Sequence, residues 1–115
     1  MKRALVSTTD GLVYEAEIGE YTDYYEHLKC EMFDVVSISV IDKNMVKHDL
    51  SIFVDDEGLF KPNNVGRLVG NYPQPLFGNL VIMGGVDEEG ETLDCTLDLI
   101  DVVNMVSEPL YTTKG

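Results

Sequence analysis

The side chains best suited to nucleophilic or metal chemistry in this 115-residue chain are two histidines and two cysteines, and only His27 and Cys30 stand close together. Three residues apart, they share a face if the segment is helical. No serine or cysteine occupies a nucleophile-elbow context and no HExxH run occurs, so a lone His–Cys pair is weak support for a thiol enzyme. Cys30 and Cys95 lack the paired spacing of a zinc site or disulfide framework and read as free thiols. The 21 Asp and Glu residues include many close pairs, yet none lies inside an apolar run. Two-carboxylate catalysis needs burial to push the two pKa values apart, so these acids read as solvated. The runs DDEG (Asp55 to Gly58) and DEEG (Asp87 to Gly90) lack the alternating ligands and terminal glutamate of a calcium loop. The expectation is a non-catalytic protein without metal or cofactor.

Charge is the more informative signal. Eight Lys and Arg against 21 acids give a formal net charge of −13. Such a chain repels phosphate and acidic lipid, which excludes nucleic-acid binding through a basic face and points to a basic partner. No Lys or Arg occurs from Leu68 to Thr113, while Asp87, Glu88, Glu89, Glu91, Asp94, Asp98, Asp101 and Glu108 all fall there. A surface built for solubility alone mixes signs. If the last element is a helix, Asp94, Asp98 and Asp101 repeat about every 5 Å along its axis at ~1.5 Å per residue, close to the phosphate spacing of a nucleic-acid strand. The first seven of these acids are therefore expected to form a DNA-mimic-like surface that binds and inhibits a basic host protein.

A second region has the opposite chemistry. Lys61 and Arg67 bracket Pro62-Asn63-Asn64-Val65-Gly66, with Tyr72 beyond. Asn amides, glycine-exposed backbone, a bidentate arginine and a stacking ring could together hold a nucleotide phosphate and base. The Walker spacing is absent, so sequestration and not hydrolysis is the alternative expectation.

These residues are positioned by a legible order of elements. Arg3 to Thr8 and Leu12 to Ile18 alternate around Thr9-Asp10-Gly11, which predicts a hairpin. Tyr21, Tyr25, Leu28 and Met32 recur at helical spacing over Thr22 to Glu31, with Thr22 or Asp23 as N-cap. Phe33 to Ile41 and Met45 to Val54 predict two strands at the centre of a sheet. Leu59 to Phe77, rich in Pro and Gly, reads as loop with one helical turn after Pro62. Asn79 to Met83 is an apolar strand. Thr96 to Val106 is expected to be a helix with Leu93, Leu97, Ile100 and Val103 facing inward, followed by a frayed end.

Together with this order, the runs SIFVDDEGLFKPNN (Ser51 to Asn64), GNLVIMG (Gly78 to Gly84) and VDEEGET (Val86 to Thr92) resemble a domain-of-unknown-function family of small proteins from phages, plasmids and integrated elements. The resemblance spans roughly Ala4 to Val106. It departs at KCEMFD (Lys29 to Asp34), in place of a glycine-rich strand entry, and at an insertion around Tyr72 to Pro75. It implies a mobile-element origin and supplies no catalytic residues.

The fold expected is α+β: one acidic domain over residues 1–115, with a small, mainly antiparallel sheet of about five strands, two short helices and a flexible tail from about 108. No apolar run reaches membrane-spanning length, and Met1-Lys2-Arg3 leads into a strand and not into a signal-peptide core. A cytoplasmic protein beginning at its first residue is the expectation, with a passive oligomeric or virion-associated protein as the third functional reading.

Overall fold

In the computed structural model, which describes Met1–Gly115, period-two alternation produces β1 (Lys2–Ser7) and β2 (Val13–Ile18), paired antiparallel across the Thr9-Asp10-Gly11 turn. Asp23 then starts α1 (Tyr21–Leu28), because its Oδ2 accepts the amides of Gly19 and Glu20 that no preceding helical turn can satisfy. The N-cap is Glu20, earlier than the Thr22 or Asp23 expected, and Lys29 closes the helix at φ 54°. β3 (Phe33–Ile41) and β4 (Lys47–Asp55) form a nine-pair antiparallel ladder.

A 3₁₀ turn at Gly58–Phe60 leads to β5 (Val65–Arg67), β6 (Leu76–Phe77) and β7 (Leu80–Gly84). α2 (Leu99–Met105) and β8 (Tyr111–Thr112) complete the chain. The large sheet runs β2-β1-β7-β4-β3, wholly antiparallel, and β6-β5-β8 form a smaller one. This is the α+β architecture expected. No helix is long and apolar enough to cross a membrane.

Three expectations are corrected. The centre of the sheet is β7, whose residues are all buried, whereas β3 lies at an edge. An apolar run without alternation suits a strand covered on both faces, and the serines of β3 suit one that is not. The helical turn precedes Pro62, and the segment read as loop supplies β5 and β6. The end of the chain is pinned: β8 pairs with β5, and Thr113 and Asn64 exchange bonds of 2.8 and 2.9 Å.

Two cores hold the large sheet. On one face Leu5, Leu50, Ile52, Leu80 and Ile82 pack under Val69, Leu97 and Val102. On the other, Ala4, Val6, Phe53, Val81 and Met83 pack under Tyr24 and Leu28 of α1, with the Tyr24 and Phe53 rings stacked at 4.1 Å.

Carboxylates also fasten the turns. Backbone amides of Glu20 and Gly19 hold Asp23 below its ordinary pKa, and His48, followed by the Val46 and Asn44 amides, does so for Asp42. A carboxyl depressed in the folded state stabilises it above the unfolded value of about 3.9, and that contribution is lost as pH falls through the folded value. Urea denaturation from pH 5 to 2 should therefore show a loss of stability below about pH 4 that is shallower in Asp23→Asn and Asp42→Asn. An unchanged slope in both variants contradicts these roles.

Candidate functional site

The acids of the lysine-free stretch begin in a tight turn. Val86 bridges Thr92, and the Asp87 carboxylate accepts the amides of Glu89 and Glu91, both at 2.9 Å. Asp87 is thus committed to the turn, while Glu88 and Glu89 project into solvent. Glu91 meets Lys2 at 3.3 Å, and the same ammonium donates to the Thr92 carbonyl.

Residues 93–97 then strap the chain across the start of β1. Leu93 donates to Gly85 O, Gly84 to Leu93 O and Cys95 to Arg3 O. Arg3 Nη1 donates to the carbonyls of Cys95 and Leu97, at 2.8 and 2.7 Å. The strap lies so close to β7 that a Cβ on Gly84 would stand 2.3 Å from the Asp94 carbonyl.

α2 corrects the DNA-mimic geometry. It begins at Leu99, not Thr96, and ends at Met105. Asp98 is its N-cap, and Asp101 turns back so that Oδ2 accepts the Asp98 amide at 2.9 Å. Asp94 belongs to the extended strap, so the three carboxylates form no ladder of 5 Å steps. The local D-x-x-D start, which satisfies orphan amides of the first turn, sets the boundary in preference to the longer amphipathic pattern. Asp101 is half-buried and borders a cleft of about 580 Å³ that also contains Lys43, Lys47, Asn71 and Asn104.

The polarity of the helix also differs from expectation. Leu97 and Val102 are buried, whereas Leu93, Leu99, Ile100 and Val103 are 44–55% exposed. Leu99, Ile100 and Val103 share one side of α2 by their spacing, and the exposed acids Asp94 and Asp98 precede them. Of the eight acids between Leu68 and Thr113, only Glu91 has an ion-pair partner. The arrangement can present apolar contact area beside the uncompensated charges of Asp94 and Asp98.

The loop expected to bind nucleotide is used internally. Arg67 is buried and donates to Ser7 Oγ, Ser7 O and Gly78 O at 2.8, 3.2 and 3.2 Å; burial pushes its pKa down. Lys61 is paired with the buried Asp55 carboxylate. Asn64 bonds to Gly58, Val65 and Thr113, and Tyr72 packs against the core. Lys61, Asn63 and Asn64 meet around a dent of about 200 Å³ that includes neither Arg67 nor Tyr72. The bidentate arginine and stacking ring of the nucleotide reading are therefore not assembled.

His27 and Cys30 do not pair. His27 Nδ1 meets Tyr14 Oη at 2.9 Å, while burial raises the thiol pKa values of Cys30 and Cys95. No group of three or more His, Cys, Asp or Glu converges to hold a metal ion.

A groove of about 690 Å³ between α1 and the Val86–Thr92 turn went unread in the sequence. Tyr21, Tyr24 and Phe33 flank it, and Phe53, Ser37 and Ser51 line the sheet beneath. The signal was the helical spacing of Tyr21, Tyr24 and Leu28, which seats aromatics on the sheet without covering its β3 side.

Among known families, the one described as "Domain of unknown function (DUF3846)" matches residues 1–108. Comparison with curated proteins and with solved structures gives no match.

Proposed function

The chain belongs to the DUF3846 family, and from that premise we propose that it is a non-catalytic protein-binding module, of phage or other mobile-element origin, acting in the host cytoplasm. It docks on a basic host protein, a defence or nucleic-acid enzyme, and inhibits it. The observation that carries this reading is the coincidence of two features on one segment: acids without cations, and Leu99, Ile100 and Val103 left about half exposed. A hydration coat accounts for the first but not the second, because exposed aliphatic carbons gain nothing from water. An interface with an apolar centre and a charged rim needs both.

Asp94 and Asp98, directly before α2, supply negative charge beside Leu99, Ile100 and Val103, Glu88 and Glu89 extend the cation-free segment, and Glu91 is neutralised by Lys2. The rim steers encounter with a cationic surface, and that steering weakens as the Debye length shrinks from ~10 Å at 0.1 M salt. Affinity rests on the aliphatic contacts, so recognition does not require the regular phosphate spacing of DNA.

The test compares two triple variants with equal charge change in capture from host lysate. Glu88→Lys/Glu89→Lys/Asp94→Lys alters the rim, and Glu17→Lys/Glu26→Lys/Asp56→Lys alters exposed acids elsewhere. The rim variant is expected to lose a salt-sensitive partner that the control retains. Equal loss in both would mean nonspecific charge attraction and overturn the reading.

A further inference from the structure

We propose that the free edge of β3 is the seam of a two-fold dimer, in which a second copy of this chain adds its own β3 antiparallel and joins the two five-stranded sheets. This goes beyond the proposed function and does not depend on it. The phase of the β3–β4 ladder shows which backbone groups are available. Asp56 N donates to Met32 O, and Asp42 N to Val46 O, each at 3.0 Å, so the even-numbered residues of β3 bond to β4. The N–H and C=O groups of Phe33, Val35, Ser37, Ser39 and Ile41 consequently point away from the sheet. The Val35 amide is satisfied by its neighbour Asp34 Oδ1, a local bond that an incoming strand would displace.

This edge lacks the usual protections. Nine residues run without proline or lysine, and Val35 and Ile41 are 41% and 64% exposed. A long, flat edge with outward apolar side chains is a template for another strand unless a bulge, proline or lysine blocks it. Charge then selects the occupant and the register. Glu31 and Asp34 outnumber Lys29 at the start of β3, and beyond its end Lys43 is the unpaired charge, since Asp42 meets His48 and Lys47 meets Asp49. Neither Glu31 nor Lys43 has an ion-pair partner in its own chain. A copy turned through 180° sets each acidic end against a basic end, which a parallel addition does not.

Within antiparallel pairings, the register with Ser37 opposite Ser37 sets Glu31, just before β3, on the side of Lys43, in the turn just after it, at both ends of the seam. It also sets Phe33 against Ile41, covering the more exposed of the two aliphatic groups, and Val35 against Ser39. Slipping by two residues in one direction removes the Glu31–Lys43 match, and in the other it also brings Asp34 toward Asp42. Like charges directly opposite are unfavourable, so the register centred on Ser37 is preferred.

Sedimentation equilibrium on the full chain at low salt tests this. The wild type is expected to be dimeric in the micromolar range. Glu31→Lys and Lys43→Glu singly should weaken dimerisation roughly tenfold, and the double variant should restore it, which a merely structural role would not do. Ser37→Pro removes only an outward N–H and should give a monomer with an unchanged circular dichroism spectrum. A monomeric wild type, including one that recruits a different protein along β3, overturns the proposal. So do single charge variants as dimeric as the wild type, or a Ser37→Pro dimer. Capture of the basic partner is read separately: its loss in the rim variant leaves this result untouched.

Discussion

Arg67→Ala is expected to lower the thermal midpoint by about 10–15 °C, corresponding to about 3 kcal/mol for a domain of this size. Arg67 is 4% exposed and has no carboxylate among its partners. Its guanidinium bonds instead to Ser7 Oγ and to the carbonyls of Ser7 and Gly78, fastening β5 to the end of β1 and to the connection before β7. Truncation leaves those acceptors without donors and opens a cavity where the side chain lay, two costs that add. Arg67→Met refills much of the volume but supplies no donors, so it should recover part of the loss. Arg67→Lys keeps the charge without the planar fork and should also fall short of the wild type. Calorimetry decides the point: an alanine variant melting within about 2 °C of the wild type would mean that the cation's own desolvation offsets its bonds.

Gly84→Ala should cost about 2–3 kcal/mol for a single added methyl group. A Cβ at this position would lie 2.3 Å from the Asp94 carbonyl and 3.0 Å from that of Leu93, and both are backbone atoms of the strap. β7 is buried between β1 and β4 and cannot retreat, so the strap must move, losing the bond from Gly84 N to Leu93 O. Gly90→Ala provides a contrast, because nothing lies within 4 Å and only its φ of +84° resists a side chain, a cost of about 1–2 kcal/mol. Hydrogen exchange separates the mechanisms. Gly84→Ala should raise exchange at the Leu93 and Cys95 amides well beyond that in β4, whereas Gly90→Ala should confine its effect to the Val86–Thr92 turn. Because the strap leads directly into α2, Gly84→Ala should also weaken partner capture, and intact capture with a displaced strap would remove α2 from the interface.

Much of this architecture is legible along the chain. The first hairpin, α1 and the β3–β4 pair follow from side-chain periods of two and 3.6, and β7 from an unbroken apolar run, signals that express themselves within a few residues. β5, β6 and β8 escape such reading because two or three residues cannot show a period. They exist through partners contributed by distant parts of the chain, as when Val65 meets Thr112. Arg67 illustrates the same limit: a cation among Asn, Pro and Gly looks like an anion-binding group until Ser7, sixty positions earlier, takes its guanidinium.

The acidic stretch divides similarly. Its want of lysine is a property of composition and needs no fold. Asp87 and Asp101 look equivalent to Glu88 and Glu89 as charges, yet the carboxylates of the first two accept backbone amides in the structure and those of the latter two do not.

The sequence by itself determined that this is an acidic α+β chain with one cation-free segment, since composition and short-range periodicity are local properties. The tertiary structure alone decided that β7 is central, that β3 is left open and that Leu99, Ile100 and Val103 face outward. Those outcomes depend on which apolar faces exclude water against one another, and that is settled between residues far apart in the chain.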